Sequence, residues 1–75
     1  SKIIGFKVEG SKDSVKTKSL ELLNKNKLDF VVGNTTSGFG ADENEIWVFG
    51  SKGNIIHKNG TKDYLADCIL DLIKE

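Results

Sequence analysis

Hydrophobic residues fall in short blocks separated by polar, Gly-bearing breaks, and the spacing inside each block predicts what it becomes. Ile3-Ile4-Gly5-Phe6-Lys7-Val8 is apolar on both alternating faces, the pattern of an interior strand covered on two sides. Gly5 and the following Gly10-Ser11 argue against a helix there. Asp13 or Ser14 then supplies an N-cap for a helix with the stripe Val15, Leu22 and Leu23, Ser19 filling in and Lys16, Lys18 and Glu21 outside. This helix is expected to stop within Asn24 to Lys27. Leu28, Phe30, Val31 and Val32 form a second buried block that ends at Gly33-Asn34. Strand, helix and strand within about thirty residues predict a βαβ unit with a right-handed crossover and parallel strands.

Further on, Ile46-Trp47-Val48-Phe49 and Asn54-Ile55-Ile56-His57 flank Gly50-Ser51-Lys52-Gly53, a hairpin with Gly supplying positive φ. Asn59-Gly60-Thr61 breaks the chain, and Thr61 caps a helix whose apolar stripe is Leu65, Cys68, Ile69, Leu72 and Ile73. The fold class that follows is α/β: a small mixed four-stranded sheet, made of a βαβ unit plus a β-hairpin, with two helices. Two helices can hardly cover both faces of four strands. The pattern therefore predicts half of a larger α/β domain, the remainder covering the surplus apolar surface.

Length and composition narrow the function. A chain of 75 residues without internal repeats makes one small domain and buries only about 60% of its unfolded surface. Eleven basic residues balance 11 acidic ones, and the cations are scattered lysines, so no field draws the protein to nucleic acid. No apolar run approaches the ~20 residues of a membrane helix, and no signal segment opens the chain. A soluble, cytoplasmic protein without nucleic-acid or membrane partners is expected. One cysteine, Cys68, and one histidine, His57, leave no internal disulfide and no Cys/His zinc cluster. The chain contains no methionine and enters an apolar block directly after Ser1-Lys2, which reads as a piece of a longer protein.

Candidate chemistry centres on the segment after the second strand. Gly33-Asn34-Thr35-Thr36-Ser37-Gly38-Phe39-Gly40 places a Gly-jointed, hydroxyl-rich loop at the carboxyl end of a buried strand, where open α/β sheets place ligands. Its N–H groups suit an anion, but it matches neither GxGxxG nor GxxxxGK[ST], and a plain connector is the default. Asp42-Glu43-Asn44-Glu45 lacks the ligand spacing of a calcium loop; Asp42 and Asn44 are read as turn-makers that launch the next strand. Asn34-Thr35-Thr36 and Asn59-Gly60-Thr61 match a glycosylation triplet, treated as chance. His57 is read as a surface residue, Cys68 as a small core residue and Trp47 as core or association surface. Lys18 and Lys25, seven residues apart, share a helix face beside the apolar stripe and suit either solvent or phosphate.

Three segments in order, Gly5-Phe6-Lys7-Val8-Glu9, Leu28-Asp29-Phe30-Val31-Val32-Gly33-Asn34 and Ser37-Gly38-Phe39-Gly40-Ala41-Asp42-Glu43-Asn44-Glu45-Ile46, strongly resemble the carboxyl-terminal part of phosphopantothenoylcysteine synthetase. With the hairpin and last helix, the resemblance covers nearly the whole chain. It implies a Rossmann-like parent domain and a coenzyme A biosynthesis ligase that joins 4'-phosphopantothenate to L-cysteine. The carboxylate is activated by CTP or ATP as an acyl-nucleotide, with magnesium assisting, and the cysteine amine then attacks. The parent is implied to be a homodimer, with FMN confined to a separate decarboxylase domain where the protein is bifunctional.

Carried over by position, Phe6 is implied to contact the nucleotide. The family's two helix lysines fall on Leu22 and Asn26 counting back from Asp29, or on Leu20 and Asn24 counting forward from Phe6. Neither register holds a lysine, and Lys18 and Lys25 stand in as nucleotide-binding residues. Gly10, Thr35 and Ala41 depart from the usual Thr, acidic residue and Ser. The family's Gly-rich first turn with its catalytic Asn, its Ala-rich segment ending in Asp and its Lys-x-Lys-Lys segment are absent from these 75 residues. No catalytic residue and no metal ligand is assigned, and the chain alone is expected to be inactive. The alternative is a non-catalytic α/β binding or dimerisation module that keeps the scaffold.

Overall fold

A computed structural model describes residues 2–35 and 44–74 of the chain. The elements run β1 (Ile4–Glu9), α1 (Lys12–Lys25), β2 (Phe30–Thr35), β3 (Asn44–Gly50), β4 (Ile55–Gly60) and α2 (Lys62–Ile73). One sheet holds the strands in chain order, β1-β2-β3-β4. β1 and β2 are parallel, with Ile4 opposite Phe30 and Glu9 opposite Thr35; β2–β3 and β3–β4 are antiparallel. This is the mixed sheet of a βαβ unit and a hairpin.

The alternation along the strands sorts side chains between two helices on opposite faces. On one face Val15 and Leu23 of α1 pack with Val31 and Phe49, flanked by Leu20, Leu22, Leu28 and Trp47. On the other, Leu65 of α2 packs with Val32, Ile46 and Val48, flanked by Ile4, Phe30, Ile56, Ile69 and Leu72. Period-2 strands meeting period-3.6 helices give one layer of core on each side of the sheet.

The α1 stripe is Val15, Ser19 and Leu23, with Leu22 only half-buried. Ser19, fully buried, lets α1 approach β2 closely: a Cβ added at Gly33 would lie 2.5 Å from Val15 Cγ1 and 2.9 Å from Ser19 Oγ. Gly33 is therefore an interior strand residue, and β2 continues through Asn34 to Thr35 where the sequence suggested a stop. A close approach and a turn both ask for glycine, and only the packing separates them.

Other boundaries move for local reasons. Ser11, not Asp13 or Ser14, caps α1: its backbone is extended (φ −146°, ψ 161°) and its hydroxyl accepts from the Ser14 N–H at 3.2 Å, while Asp13 sits in the first turn and favours the helix dipole. Asn44 is the first residue of β3 and is buried, correcting its reading as a turn-maker. Asn59 and Gly60 pair with Glu45 and Asn44, so the break comes at Thr61, whose hydroxyl accepts from the Tyr64 N–H at 3.1 Å. The hairpin turn is as expected, Gly53 taking φ 91°.

The largest difference concerns β1. It lies at a sheet edge, with Phe6 64% and Val8 45% exposed, rather than as an interior strand covered on both sides. α1 covers its Gly5 and Lys7 face, but α2 follows β4 at the far edge and packs over β3, β4 and Val32 of β2, leaving Phe6 and Val8 exposed.

Two substitutions test the α1–β2 contact. Gly33→Ala should lower unfolding stability by about 1–3 kcal/mol through overpacking. Ser19→Ala should hold or raise stability by up to about 1 kcal/mol, because the buried Ser19 Oγ has no hydrogen-bond partner among the described residues. Urea midpoints at constant slope check both, and a tolerated Gly33→Ala would show that the helix does not sit this close.

Candidate functional site

The carboxyl ends of β1 and β2, the start of β3 and the start of α2 meet at one end of the sheet. There the uncovered side of β1 opens into a groove of about 330 Å³, within the size range of small-molecule sites. Val32 and Ile46 form its floor, Leu65, Ala66 and Ile69 of α2 one wall, and Phe6 and Val8 the other. Asn34, Asn44 and Lys62 supply polar groups, and Lys7 completes the lining.

These positions follow from the pattern. Phe6 and Val8 alternate with Lys7 along β1, so both aim at the α2 side. Asn34 and Asn44 stand at the ends of β2 and β3 on either side of the connecting loop. Asn44 is 7% exposed, and the Asn34 Oδ1 is enclosed without a hydrogen-bond donor among the described residues. A buried, unfilled amide acceptor is costly. Lys62 opens α2 directly after the Thr61 cap and makes no ion pair among the described residues.

Lys18 and Lys25 lie elsewhere. They line a second groove, of about 270 Å³, with Lys7, Glu21 and Leu22 on the α1 side of the β1 edge. Lys18 faces Glu21 at 3.8 Å and Lys7 faces Glu9 at 3.3 Å. The structure thus brings Lys18 and Lys25 together as expected, but not into the groove that holds Phe6. Lys7 borders both grooves.

Of the proposed anion loop, residues 36–40 lie outside the described residues, and so do residues 42 and 43 of the acidic run. Among the described residues no three His, Cys, Asp or Glu side chains converge to hold a metal ion. No helix of the described residues is long and apolar enough to cross a membrane. Cys68 is half-buried on α2.

His57 has a partner that sequence proximity does not reveal. Its Nε2 lies 2.6 Å from Glu45 Oε2, and its ring stacks on Trp47, with centroids 5.2 Å apart and planes 19° apart. Pairing Trp47 with His57 across the hairpin puts Glu45 on the same face, so the signal was the hairpin register. Sequence reasoning weighed Asn34 only as part of the candidate anion loop and Asn44 only as a turn-maker, and passed over Lys62. Their signal was position, since Asn34 is the penultimate residue of β2 and Asn44 and Lys62 begin β3 and α2.

The sequence matches, over residues 1–75, the family described as DNA/pantothenate metabolism flavoprotein C-terminal domain. The fold is similar to that of the crystal structure of the DNA/pantothenate metabolism flavoprotein from Streptococcus pneumoniae, at a TM-score of 0.81 and 24% identity. That match covers 93% of this chain and 32% of the other, so the chain spans about a third of the protein it resembles. No curated protein matches the chain.

Because Phe6 projects into the groove instead of a core, Phe6→Ala should change unfolding stability by no more than about 0.5 kcal/mol. A loss above about 2 kcal/mol in urea unfolding would mean that the ring is packed and the groove closed.

Proposed function

Because the chain belongs to the DNA/pantothenate metabolism flavoprotein C-terminal domain family, we propose that it is the carboxyl-terminal subdomain of a coenzyme A biosynthesis ligase. In this reading the whole enzyme joins 4'-phosphopantothenate to L-cysteine, and this segment receives part of the CTP or ATP that activates the carboxylate. The observation that carries it is the exposed Phe6 ring beside an apolar groove at the carboxyl ends of parallel strands.

The chemistry suits those residues. A planar base can stack on an exposed aromatic face, removing apolar area from water on both sides, while the amides of Asn34 and Asn44 offer hydrogen bonds to base or sugar. Activation forms a bond from the substrate carboxylate oxygen to the α-phosphorus and releases pyrophosphate. The cysteine amine then attacks the acyl carbon and expels the nucleoside monophosphate. Both steps build negative charge on phosphates that cations stabilise, and Lys18 and Lys25, grouped with Lys7 at the β1 edge, are the cations first assigned to that role.

In this reading the segment binds and orients the nucleotide while other elements of the whole protein supply the reacting groups. Magnesium, in this reading, arrives with the nucleotide. The cytoplasmic, homodimeric parent, with any FMN in a separate domain, belongs to the same proposal. The bare Phe6 and Val8 face of β1 also suits a non-catalytic assembly module.

The discriminating measurement titrates CTP and ATP, with magnesium, into the complete natural polypeptide that contains this segment and into the 75-residue chain, following amide shifts. Shifts at Phe6, Val8 and Asn34 are expected in the complete polypeptide, and weak ones or none in the chain alone. An unresponsive groove in the complete polypeptide would falsify the nucleotide reading and leave the assembly module.

A further inference from the structure

The groove beside Phe6 is bordered by two lysines, Lys7 and Lys62, and they differ in what surrounds them. Lys7 is engaged by Glu9 at 3.3 Å. Lys62 has no ion-pair partner among the described residues, and Asp63, its neighbour in α2, does not line the groove. Lys18 and Lys25 border the groove on the α1 side, across the sheet. Among the described residues, the groove-lining cation left without an ion-pair partner is Lys62.

We propose that Lys62 is the phosphate-binding residue of this groove: a ligand whose planar part rests on Phe6 directs a phosphate to the Lys62 ammonium, along the polar end marked by Asn34 and Asn44. The inference rests on the nucleotide reading above and specifies which cation serves it.

Several independent features agree. The floor and one wall are aliphatic, from Val32, Ile46, Leu65 and Ile69, and offer apolar area to the planar part of a ligand. Lys62 stands in the first turn of α2, where backbone N–H groups lack helical partners and the helix dipole favours negative charge. The Asn34 Oδ1, enclosed and without a donor among the described residues at the same groove, is an acceptor that a ligand amine or hydroxyl can satisfy once the side chain turns outward. A groove with an apolar middle, an amide acceptor and an unpaired cation selects for a ligand that is planar, carries a donor and ends in an anion. A nucleotide has all three.

The test uses the complete natural polypeptide and measures dissociation constants from amide shifts for CTP and ATP with magnesium, and for cytidine and adenosine. Variants are Lys62→Ala, Lys62→Arg and, as a control for loss of one positive charge, Lys52→Ala in the exposed hairpin turn. Lys62→Ala should weaken nucleoside triphosphate binding about tenfold, the scale of one charge-assisted contact, and leave the nucleosides within about twofold. Lys62→Arg should restore most of the loss, and Lys52→Ala should change nothing beyond about twofold. Lys62 is exposed, so the fold should survive, which the unshifted amides of β2 and β3 would verify. Equal affinity of wild type and Lys62→Ala for the triphosphates, with shifts at Phe6 intact, overturns the lysine assignment alone. An equal loss for nucleosides does so as well. Triphosphates that bind without shifting Phe6, or fail to bind, remove the nucleotide reading and this inference with it.

Discussion

The width of a helix against the spacing of strands governs this molecule. A helix with its side chains is about 10–12 Å across, and neighbouring strands are about 4.8 Å apart, so one helix covers roughly two strands. Four strands with one helix on each face therefore leave part of each face open. Which part is decided by connectivity. α1 joins β1 to β2 and lies over them, packing also on Trp47 and Phe49 of β3; α2 leaves the far edge after β4 and lies over β3 and β4, with Leu65 reaching Val32 of β2. The α2 side of β1 is the result, and the groove beside Phe6 is the space between that bare strand and the helix that stops short of it.

The packed parts hold this geometry fixed. Val15, Ser19 and Leu23 settle α1 against Val31, Gly33 and Phe49, giving β1 and β2 a rigid backing. At the opposite end of the strands Asp29 ties three segments together: its Oδ2 accepts from the Ile3 N–H at 2.8 Å, its own N–H donates to the Ile3 carbonyl at 3.0 Å, and its carbonyl accepts from the Ser51 N–H at 3.0 Å. A site placed at strand ends gains precision when the strands themselves cannot slide. Polar groups at the groove end are then held at fixed positions by β2, β3 and the capped start of α2.

Much of this was legible in the residues. The apolar blocks located every strand and both helices, Thr61 announced α2, and Gly53 marked the hairpin turn, because capping and positive φ are local properties. The motifs around Phe6, Asp29 and Asn34 pointed to the family now shown by the match over residues 1–75. Gly33 was misread because a glycine demanded by a neighbouring helix looks, in one dimension, like a glycine demanded by a turn. His57 looked isolated because Glu45, 12 residues away, becomes a neighbour only through hairpin pairing. Lys18 and Lys25 were correctly placed on one helix face, but a helix face does not say on which side of the sheet the helix lies, and that side is not the one Phe6 faces.

By itself the sequence determined the elements, their order and the surplus of apolar surface, since these depend on periodicity, capping and turn chemistry within a few residues. The tertiary structure alone decided that the surplus falls on one face of β1, that Asn34, Asn44 and Lys62 border it, and that Lys18 and Lys25 do not. The reason is physical: strand pairing and the route of each helix over the sheet bring together residues far apart along the chain, and no local pattern records which side of a sheet two such residues will share.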